Sequence, residues 1–273
     1  MSTLSIINES KQIYLSSVEN ELNTTLENGD YKSKIRYKIP FLIVSNDNTL
    51  YQTVKVLNAI IPYSFYIVNE YNCNLNMNNI ILSLPYGNYN AYTLLDKINE
   101  LMAENNILGT ISLDVSNGKY LLTATQNIII RNTTNNINSI IGLDNSTYTT
   151  IFDNVNYKIY FPYPVNTGGI HNIYIKTNFS TSHQKFGGLN TSQILTSIPV
   201  QVEPFGIIQY SNYENTETII RNKDLDFLTI ELLDDNLNHI NFNGLNWTIG
   251  LEIKSVNKFN SNDTNIFSWE YYI

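Results

Sequence analysis

Charged side chains and cysteine are both scarce in this chain of 273 residues. Only 15% of the residues are Asp, Glu, Lys or Arg, against about 25% in an average globular protein. Cys73 is the single cysteine, which excludes an internal disulfide and a thiolate metal cluster, and we expect a buried, unreactive thiol. No apolar run reaches the ~20 residues of a membrane-spanning helix. The N-terminus has no cationic stretch before an apolar core, so no secretory signal is expected.

The charge that is present is mostly negative. The net charge is −8 and the pI is about 4.9, which disfavours direct binding to the phosphates of nucleic acid. One local exception is Lys34, Arg36 and Lys38, which alternate with apolar residues in a strand pattern that ends at Pro40. Two interpretations stay open for this basic strand face: a contact with nucleic acid, or the commoner case of a solvated sheet face.

Aromatic and uncharged polar residues replace the missing charge. The chain has 20 Tyr and 11 Phe and is rich in Asn, Thr and Ser, a composition that suits strands and turns better than helices. A surface poor in Lys and Glu lacks the side chains that discourage association. We therefore expect much of the exterior to be buried against partners, although an AT-rich genome would produce part of the same bias.

The most informative stretch is Leu50–Leu75. Its first half alternates as a half-buried strand does, with a skip at Leu57. The apolar face is predicted to hold Val54, Val56 and Ala59, and the opposite face Thr53, Lys55 and Asn58. Pro62 cannot donate a ladder hydrogen bond, so the strand is expected to turn a corner through the sequence IPYSFY.

A helix and a hairpin interrupt an otherwise β pattern. Asn90 is a candidate N-cap, and Leu94, Ile98 and Met102 repeat at helical spacing until Asn105. An Asn-Gly turn at 117–118 predicts a hairpin over 110–125, and a brief helical turn is expected over 137–143.

The fold class predicted from these patterns is all-β: a single jelly-roll β-sandwich with an inserted small α+β unit. Further short strands are expected at 80–84, 157–161, 172–178, 193–202, 206–210, 225–232 and 245–253. The predicted domains are an N-terminal arm at 1–30, a jelly-roll sandwich at 31–85 and 151–257, an inserted α+β subdomain at 86–150 and a C-terminal tail at 258–273.

Residues with chemical potential are few and scattered. No histidine has a second one at helical spacing, no Gly-x-Ser-x-Gly or phosphate-loop motif occurs, and the Asp pairs lack the ligand spacing of a calcium loop. The candidates considered were His171, His183, His239, the pairs Asp224/Asp226 and Asp234/Asp235, and a glycosidase-like pair Glu203/Glu217. None of these candidates is selected by its sequence context, so no catalytic, cofactor-binding or metal-binding residue is predicted and no cofactor is expected. Trp247 lies in a strand pattern and is expected to be buried.

Several segments in order resemble the small single jelly-roll penton (minor capsid) proteins of virophages, polinton-like viruses and related viruses of amoebae and protists. The early segments are 31–40, VKVLNAIIPYSFYIVNEYN and LPYGNYNAYTLLDKINELM. The later segments are PYPVNTGGIHNIYIKTNF, ILTSIPVQVEPFGIIQYSN and LTIELLDDNLNHINFNGLNWTIGLEI. The resemblance covers about residues 31–256 and leaves both tails unmatched.

The resemblance implies a structural protein of the virion. Such a protein forms a homopentamer that closes each five-fold vertex of an icosahedral capsid, beside trimers of a double jelly-roll major capsid protein. It implies assembly in the host cytoplasm, no enzymatic activity, and a possible contact of the inserted unit with a fibre or host surface. Chain length agrees, since one jelly roll plus a unit of ~65 residues fills the chain, whereas two jelly rolls of about 150–200 residues each would not fit.

Two other functions stay open. The first alternative is a β-sandwich binding module, a virion surface protein that recognises a host receptor or a glycan through loops such as Ser180–Asn190. The second is an enzyme on a sandwich scaffold, for which the sequence offers no residues.

Overall fold

The protein is described by a computed structural model. It describes residues 4–18, 24–26, 31–38, 43–44, 49–178, 193–220, 224–225 and 227–260. The strands are β1 Leu4–Ser16, β2 Thr24–Leu26, β3 Lys34–Tyr37, β4 Ile43–Val44, β5 Thr49–Pro62, β6 Asn74–Met77, β7 Ile80–Ser83, β8 Gly109–Asp114, β9 Lys119–Ala124, β10 Ile129–Arg131, β11 Tyr148–Thr149, β12 Ile151–Phe152, β13 Tyr157–Pro164, β14 Asn172–Thr177, β15 Ile194–Pro199, β16 Ile207–Ser211, β17 Thr218–Ile220, β18 Asp224–Leu225, β19 Leu228–Leu233 and β20 Thr248–Asn260. The helices are α1 Ala91–Glu104 and α2 Asn138–Ile141.

The chain forms two compact units. The first, here called the sandwich, consists of Met1–Phe65 and Ile170–Ile273, and the second, the inserted unit, is Tyr66–Gly169. The sandwich has two five-stranded antiparallel sheets. Sheet A has the order β1-β20-β5-β16, with β17 also on β5, and sheet B has the order β15-β14-β19-β3-β2.

The strand order of the sandwich is that of a jelly roll. Eight strands in chain order are β1, β3, β5, β14, β15, β16, β19 and β20. The first pairs with the last, the second with the seventh, the third with the sixth and the fourth with the fifth, each antiparallel. This nested pairing is what results when a long two-stranded ribbon folds over into two sheets. The predicted fold class, a single jelly-roll sandwich carrying an inserted α+β unit, is confirmed.

The long strand β5 lies in the middle of sheet A, between β20 and β16. Val54, Val56 and Ala59 face the core, and Lys55 and Asn58 lie on the other face, as predicted. The register against β20 shifts at Leu57: Val56 pairs with Leu251 and Asn58 with Gly250. The skip in the hydrophobic pattern was therefore a β-bulge, which keeps the apolar side chains of both halves of the strand on the core side.

The sandwich core contains residues from both sheets and is anchored by Trp247. Its ring is 1% exposed, and its indole N–H donates to the carbonyl of Lys32 at 2.8 Å. The backbone N–H of Trp247 donates to the hydroxyl of Ser17 at 2.9 Å, and the N–H of Ser17 donates to the Trp247 carbonyl at 3.1 Å. These bonds hold the end of β1 against the start of β20, and the predicted burial of Trp247 is confirmed.

The corner after β5 is fixed by hydrogen bonds and ring contacts. The ring of Phe65 stacks on Tyr63 at 4.2 Å and meets the edge of Phe242 at 6.1 Å. The Ser64 hydroxyl donates to the Phe242 carbonyl at 2.6 Å, and the Asn243 side chain donates to the Ser64 carbonyl at 2.5 Å. The chain leaves the sandwich immediately after this corner, so β5 ends where the proline predicted.

The inserted unit has its own core between two four-stranded sheets, β11-β10-β6-β7 and β12-β13-β9-β8, and the helix α1. Asn90 caps α1 by accepting from the N–H groups of Tyr92 and Thr93, and the helix ends at Asn105. The predicted hairpin is β8–β9, with Gly118 at φ +70° in its turn. The helix cap, the hairpin and the helical turn at α2 are confirmed.

Helix α1 also covers the edge of β8. The Asn99 side chain accepts from the Ile111 N–H at 2.7 Å and donates to the Ile111 carbonyl at 2.9 Å. One side chain thus takes the place of a neighbouring strand, and protects an edge that would otherwise be open to pairing. Cys73 is buried in the same unit, and burial raises the pKa of its thiol, as expected for an unreactive cysteine.

The boundaries differ from those expected. The compact inserted unit runs from 66 to 169 rather than from 86 to 150, because β6, β7 and β13 pair with strands of this unit and not with the sandwich. The segment expected as an N-terminal arm contains β1, whose 13 residues pair with β20 from Leu4↔Asn260 to Ser16↔Thr248. Strand β20 continues to Asn260, into the expected tail, and the rest of that tail lies outside the described residues.

Candidate assembly surfaces

The histidines and acidic residues considered as candidates are spread over several parts of the chain. Within the described ranges no three His, Cys, Asp or Glu side chains come together as metal ligands. His171 immediately precedes β14, His239 lies 3.8 Å from Glu231, and His183 is outside the described residues. Asp226 is also outside them, and Asp224 begins β18.

The acidic pair after β19 organises a turn. Asp234 accepts from the backbone N–H groups of Asn236 and Asn238, both at 2.8 Å, and burial raises the pKa of its carboxyl. Asp235 accepts from the backbone N–H of His171 at 2.7 Å and from the Asn172 side chain at 3.1 Å. Both carboxylates therefore have backbone and amide donors as their partners.

The outer face of sheet A carries a balanced ion-pair network, here called the neutral face: Lys55, Glu217, Glu252 and Lys254. The Lys55 ammonium is 2.6 Å from Glu252, and that of Lys254 is 3.3 Å from Glu217. Hydrogen bonds from Lys55 and then from Ser10 lower the pKa of Glu252. The two lysines are paired with two glutamates, so the four side chains together have no net charge. Glu217, once considered as half of a glycosidase pair, belongs to this network.

Beside the network, sheet A exposes an apolar margin consisting of Ile60, Pro62, Phe205 and Ile207. Ile207 lies opposite Pro62 in the register, and Ile60 is 50% and Ile207 56% exposed. Phe205 is 80% exposed and has a φ of +71°. Non-glycine residues seldom adopt this conformation, and one with a bulky exposed ring marks a candidate contact site. Glu203 lies in the turn that places Phe205, since its carbonyl accepts from the Gly206 N–H.

The outer face of sheet B is mostly positively charged and is here called the basic face. It consists of Lys34, Arg36, Lys38, Lys176 and Glu231. Arg36 and Lys38 are exposed, while Ile35 and Tyr37 point into the core, as the alternation predicted. The Glu231 carboxylate is 3.1 Å from the Lys176 ammonium and lies opposite Lys34 in the register. The Arg36 guanidinium lies 3.7 Å from the centre of the Phe227 ring, a cation–π contact that fixes its position.

His239 borders the basic face. Its Nε2 is 3.8 Å from the Glu231 carboxylate. Burial lowers the pKa of His239, Glu231 acts in the opposite direction, and Lys34 and Lys176 lower it further. The imidazole is therefore neutral at pH 7 and adds no charge to this face.

The inserted unit exposes aromatic rings and one acidic helix face. Its well-exposed large side chains include Tyr86, Tyr92, Ile151, Val155, Tyr160 and Tyr163. On α1, Asp96, Glu100 and Glu104 recur every four residues on the exposed side, with Lys97 2.8 Å from Glu100. The helix cap and the pattern of buried residues set this orientation, because Leu94, Ile98 and Met102 occupy the core side.

Two structural features were not predicted from the sequence. Strand β1 was not predicted, although Ile13 and Leu15 alternate with the exposed Gln12 and Tyr14 as strand residues do. The exposure and positive φ of Phe205 were also not predicted, because the only indication of a turn in the neighbouring sequence is the glycine that follows it.

Together, the two sheets define a single jelly-roll sandwich with surfaces suited to contact and no described reactive centre. No protein-family model and no curated protein matches this sequence. Among solved structures, the chain is similar to a selenomethionine-labelled mavirus penton protein, with 12% identity over 93% of this chain and 99% of that chain and a TM-score of 0.42. It is also similar to a chain of the Sputnik virophage, with 13% identity over 89% and 97% and a TM-score of 0.42. The assignment of the fold rests on the strand order described above. No helix in the described part of the chain is long and apolar enough to span a membrane.

Proposed function

We propose that this protein is a penton, a structural capsid protein that forms homopentamers and closes the five-fold vertices of an icosahedral virion. The observation that supports this proposal most directly is the nested strand order of one complete jelly roll in a chain with one inserted unit. A single jelly roll is a common capsid building block. The ordered sequence motifs that resemble virophage pentons point to the same role, and in this role the protein acts by packing and not by catalysis.

The ring would close through heterologous contacts, in which one patch of each copy meets a different patch of the next and a 72° rotation returns to the start. The apolar margin on sheet A is proposed as one such patch, because the apolar side chains of Ile60, Ile207 and Phe205 are all at least half exposed there. Burial contributes about 25 cal/mol per Å² before the entropic cost of association. An interface of standard size buries about 800 Å² per partner.

The proposed neighbours in the shell are trimers of a double jelly-roll major capsid protein. The inserted unit is proposed to contact a fibre or the host surface. The protein would be located in the virion after assembly in the host cytoplasm.

The mass of the purified protein in solution tests the proposal. Light scattering after gel filtration should give five times the 31.3 kDa chain mass, and cryo-EM of particles should place the chain at the vertices. Replacing Ile207 with Asp should yield monomers, because it adds a charge to the apolar margin. The matched control Val115→Asp, at a 74% exposed site of the inserted unit, should leave the pentamer intact. A monomer at high concentration that is absent from vertices contradicts the proposal.

A second candidate function is that of a virion surface protein that binds a glycan or a host receptor. It is favoured by the exposed tyrosines of the inserted unit, of which Tyr160 is 71% and Tyr92 58% exposed. Binding of the monomeric full chain to a glycan array, lost in Tyr160→Ala, would support this function over the penton. The predicted loop Ser180–Asn190 lies outside the described residues.

A further inference from the structure

We infer that a groove of the inserted unit, here called the threonine groove, binds an uncharged saccharide. The groove lies at the end of the β8–β9 hairpin that is remote from its turn, and its volume is about 400 Å³. Volumes of this size are typical of small-molecule sites. The side chains that line it are those of Leu108, Thr110, Thr123, Ala124, Thr125 and Asn156. The inference rests on the second candidate function, to which it gives a site and a ligand class, and it can hold for a pentamer as well as for a monomer.

The strand register brings two of the threonines side by side on the outer face of their sheet. Thr110 of β8 lies opposite Thr123 of β9, and Thr123 lies opposite Lys158 of β13. Successive side chains of a strand point to opposite faces, and the neighbouring residues Ile111 and Leu122 are buried in the core of the inserted unit. The two threonine side chains therefore point away from that core, where they line the groove.

The polar side chains of the threonine groove are not used inside the protein. In the described part of the chain, the hydroxyls of its three threonines and the side-chain amide of Asn156 have no hydrogen-bond partner. Two other polar side chains of the same unit do have such partners. The Asn99 side chain bonds both backbone groups of Ile111, and the Thr150 hydroxyl accepts from the N–H of residue 128 at 3.0 Å. The unused donor and acceptor groups of the groove suit a ligand that is itself rich in hydroxyls, as a saccharide is.

The lining of the threonine groove offers no charge to an anionic ligand. None of its side chains is charged. Lys158, opposite Thr123, has its ammonium 2.6 Å from the Asp153 carboxylate, and this hydrogen bond is the main cause that lowers the pKa of Asp153 to about 2. The two side chains therefore form an ion pair at neutral pH. Because the net charge of the chain is −8, a sulfated or sialylated sugar is disfavoured, whereas an uncharged sugar is not.

Asn156 is held in place before a ligand binds. It ends the turn between β12 and β13, in which the Asp153 carboxylate accepts from the N–H of Val155 at 3.0 Å and from that of Asn156 at 2.7 Å. The Asp153 N–H donates to the Asn156 carbonyl at 3.0 Å. Because these bonds fix the backbone of the turn, less conformational entropy is lost when the Asn156 side chain binds a ligand.

Apolar surface in and beside the groove suits the C–H face of a sugar ring. Leu108 is 60% exposed, and its carbonyl accepts from the Thr125 N–H at 3.2 Å. Tyr160 is 71% exposed and lies opposite Leu121 in the register, so it is a diagonal neighbour of Thr123 on the outer face. Diagonal neighbours in a sheet are about 7–8 Å apart, within reach of an aromatic side chain. The Tyr160 ring can therefore pack against a sugar that is bound over the threonines.

A saccharide fits this groove better than a peptide or a nucleic acid does. An extended peptide would add to the edge of β8, where the Asn99 side chain already bonds the N–H and the carbonyl of Ile111 at 2.7 and 2.9 Å. Nucleic acid would need cations for its phosphates, and the lining side chains are uncharged. An uncharged saccharide needs neither a strand edge nor a cation.

Binding of the full chain to a glycan array tests the inference. The array carries uncharged oligosaccharides, among them lactose, maltose and chitobiose, together with sialylated and sulfated glycans. At least one uncharged glycan should bind, and it should bind more tightly than the charged glycans do. The dissociation constant of the tightest uncharged ligand is then measured by saturation-transfer NMR with the free oligosaccharide.

Two variants of similar side-chain shape locate the site. Thr123→Val and Asn156→Leu remove the hydrogen-bonding groups of these side chains, and each should weaken binding of the uncharged ligand about tenfold. The matched control is Thr149→Val, because this exposed strand threonine lies in the other sheet of the inserted unit. Its binding should equal that of the wild type. Circular dichroism should give the same spectrum and melting curve for all three variants, which shows that the fold is kept.

The outcomes separate this inference from the proposed functions. An array without an uncharged ligand overturns the inference, and so does tighter binding of the sialylated or sulfated glycans. Glycan binding that Thr123→Val and Asn156→Leu leave unchanged also overturns it, because the ligand then lies elsewhere, but the second candidate function stands. A pentamer that binds no glycan leaves the penton function standing. A monomer that binds through the groove overturns the penton function and supports the inference.

Discussion

The two units of the chain are built from contacts of very different sequence range. In the sandwich, β1 pairs with β20 and β3 with β19, so that Leu4 lies opposite Asn260 and Ile35 opposite Ile230. In the inserted unit, β6 pairs with β7 and β8 with β9, across turns of a few residues. Closing a long loop costs conformational entropy before its contacts contribute. The comparison indicates that the inserted unit is stabilised locally, whereas the sandwich depends on both ends of the chain together.

The largest loss of stability is expected from Trp247→Ala in the sandwich. It removes a ring that is 1% exposed and leaves the Lys32 carbonyl without its indole partner, at a cost of about 3–5 kcal/mol. Native-state hydrogen exchange should show loss of protection in β5 and β19, while α1 and β9 keep theirs.

Leu245→Ala is the matched control, since this side chain two residues away is 52% exposed. It should leave exchange in both units unchanged. Equal loss of protection in both units after Trp247→Ala would show that they unfold as one, which contradicts the comparison.

Two glycines with positive φ probe the units separately. Gly142 has a φ of +88°, and a Cβ there would overlap the carbonyl oxygen of Tyr163. Gly142→Ala should therefore destabilise the inserted unit by about 2–5 kcal/mol. Gly244, in the sandwich, has a φ of +78° but nothing within 4 Å of such a Cβ, so Gly244→Ala should cost only about 1–2 kcal/mol.

The loss of stability in each glycine variant can be measured by urea unfolding, with hydrogen exchange reporting on each unit separately. A Gly142→Ala protein that is no less stable than Gly244→Ala would mean that the backbone around Tyr163 yields easily.

Asn99→Ala tests the covered edge of β8. The change removes the side chain that bonds the Ile111 N–H and carbonyl at 2.7 and 2.9 Å, and should destabilise the inserted unit by about 1–3 kcal/mol. It should also increase aggregation on heating, because the strand edge is opened. Thermal unfolding followed by light scattering measures both effects. The control Asn105→Ala removes a side chain that bonds only the Leu101 carbonyl at the helix end, and it should not increase aggregation.

The smallest effect is expected from pH acting on the neutral face. Hydrogen bonds from Lys55 and Ser10 hold the pKa of Glu252 below its ordinary value of 4.5. The folded state therefore binds fewer protons than the unfolded state between these two pKa values, so this contribution is fully present above about pH 4.5 and is lost as the pH falls through the folded pKa. Melting temperatures from pH 3 to pH 6 should fall less steeply for Glu252→Gln than for the wild type. A slope in Glu252→Gln as steep as that of the wild type would contradict the prediction.

Local patterns predicted the elements that depend on local chemistry. The alternation and skip of β5, the Asn90 cap of α1 and the Asn-Gly turn of the β8–β9 hairpin are all visible in a few consecutive residues. The partner of a strand is not visible in this way. A period of two indicates that one face of β7 or β13 is buried, but not in which of two cores, and both strands were assigned to the sandwich for that reason.

The candidate surfaces also differ in whether they could be predicted from consecutive residues. The basic face was predictable because Lys34, Arg36 and Lys38 lie on a single strand. The neutral face was not, because Thr53 and Glu217 meet across 164 residues of sequence. Charge balance on a sheet depends on which strands become neighbours, and here those neighbours come from opposite ends of the chain.

The position of β5 has a consequence for synthesis on the ribosome. Strand β5 is flanked by β20 and β16, both of which are translated after the whole inserted unit. At 5–20 residues per second, β20 emerges roughly 10–40 s after β5. During that interval the nascent chain carries a long apolar strand without its neighbours, while Tyr66–Gly169 already has every strand it needs. The inserted unit can therefore fold while the jelly roll still lacks five of its eight strands, β14, β15, β16, β19 and β20.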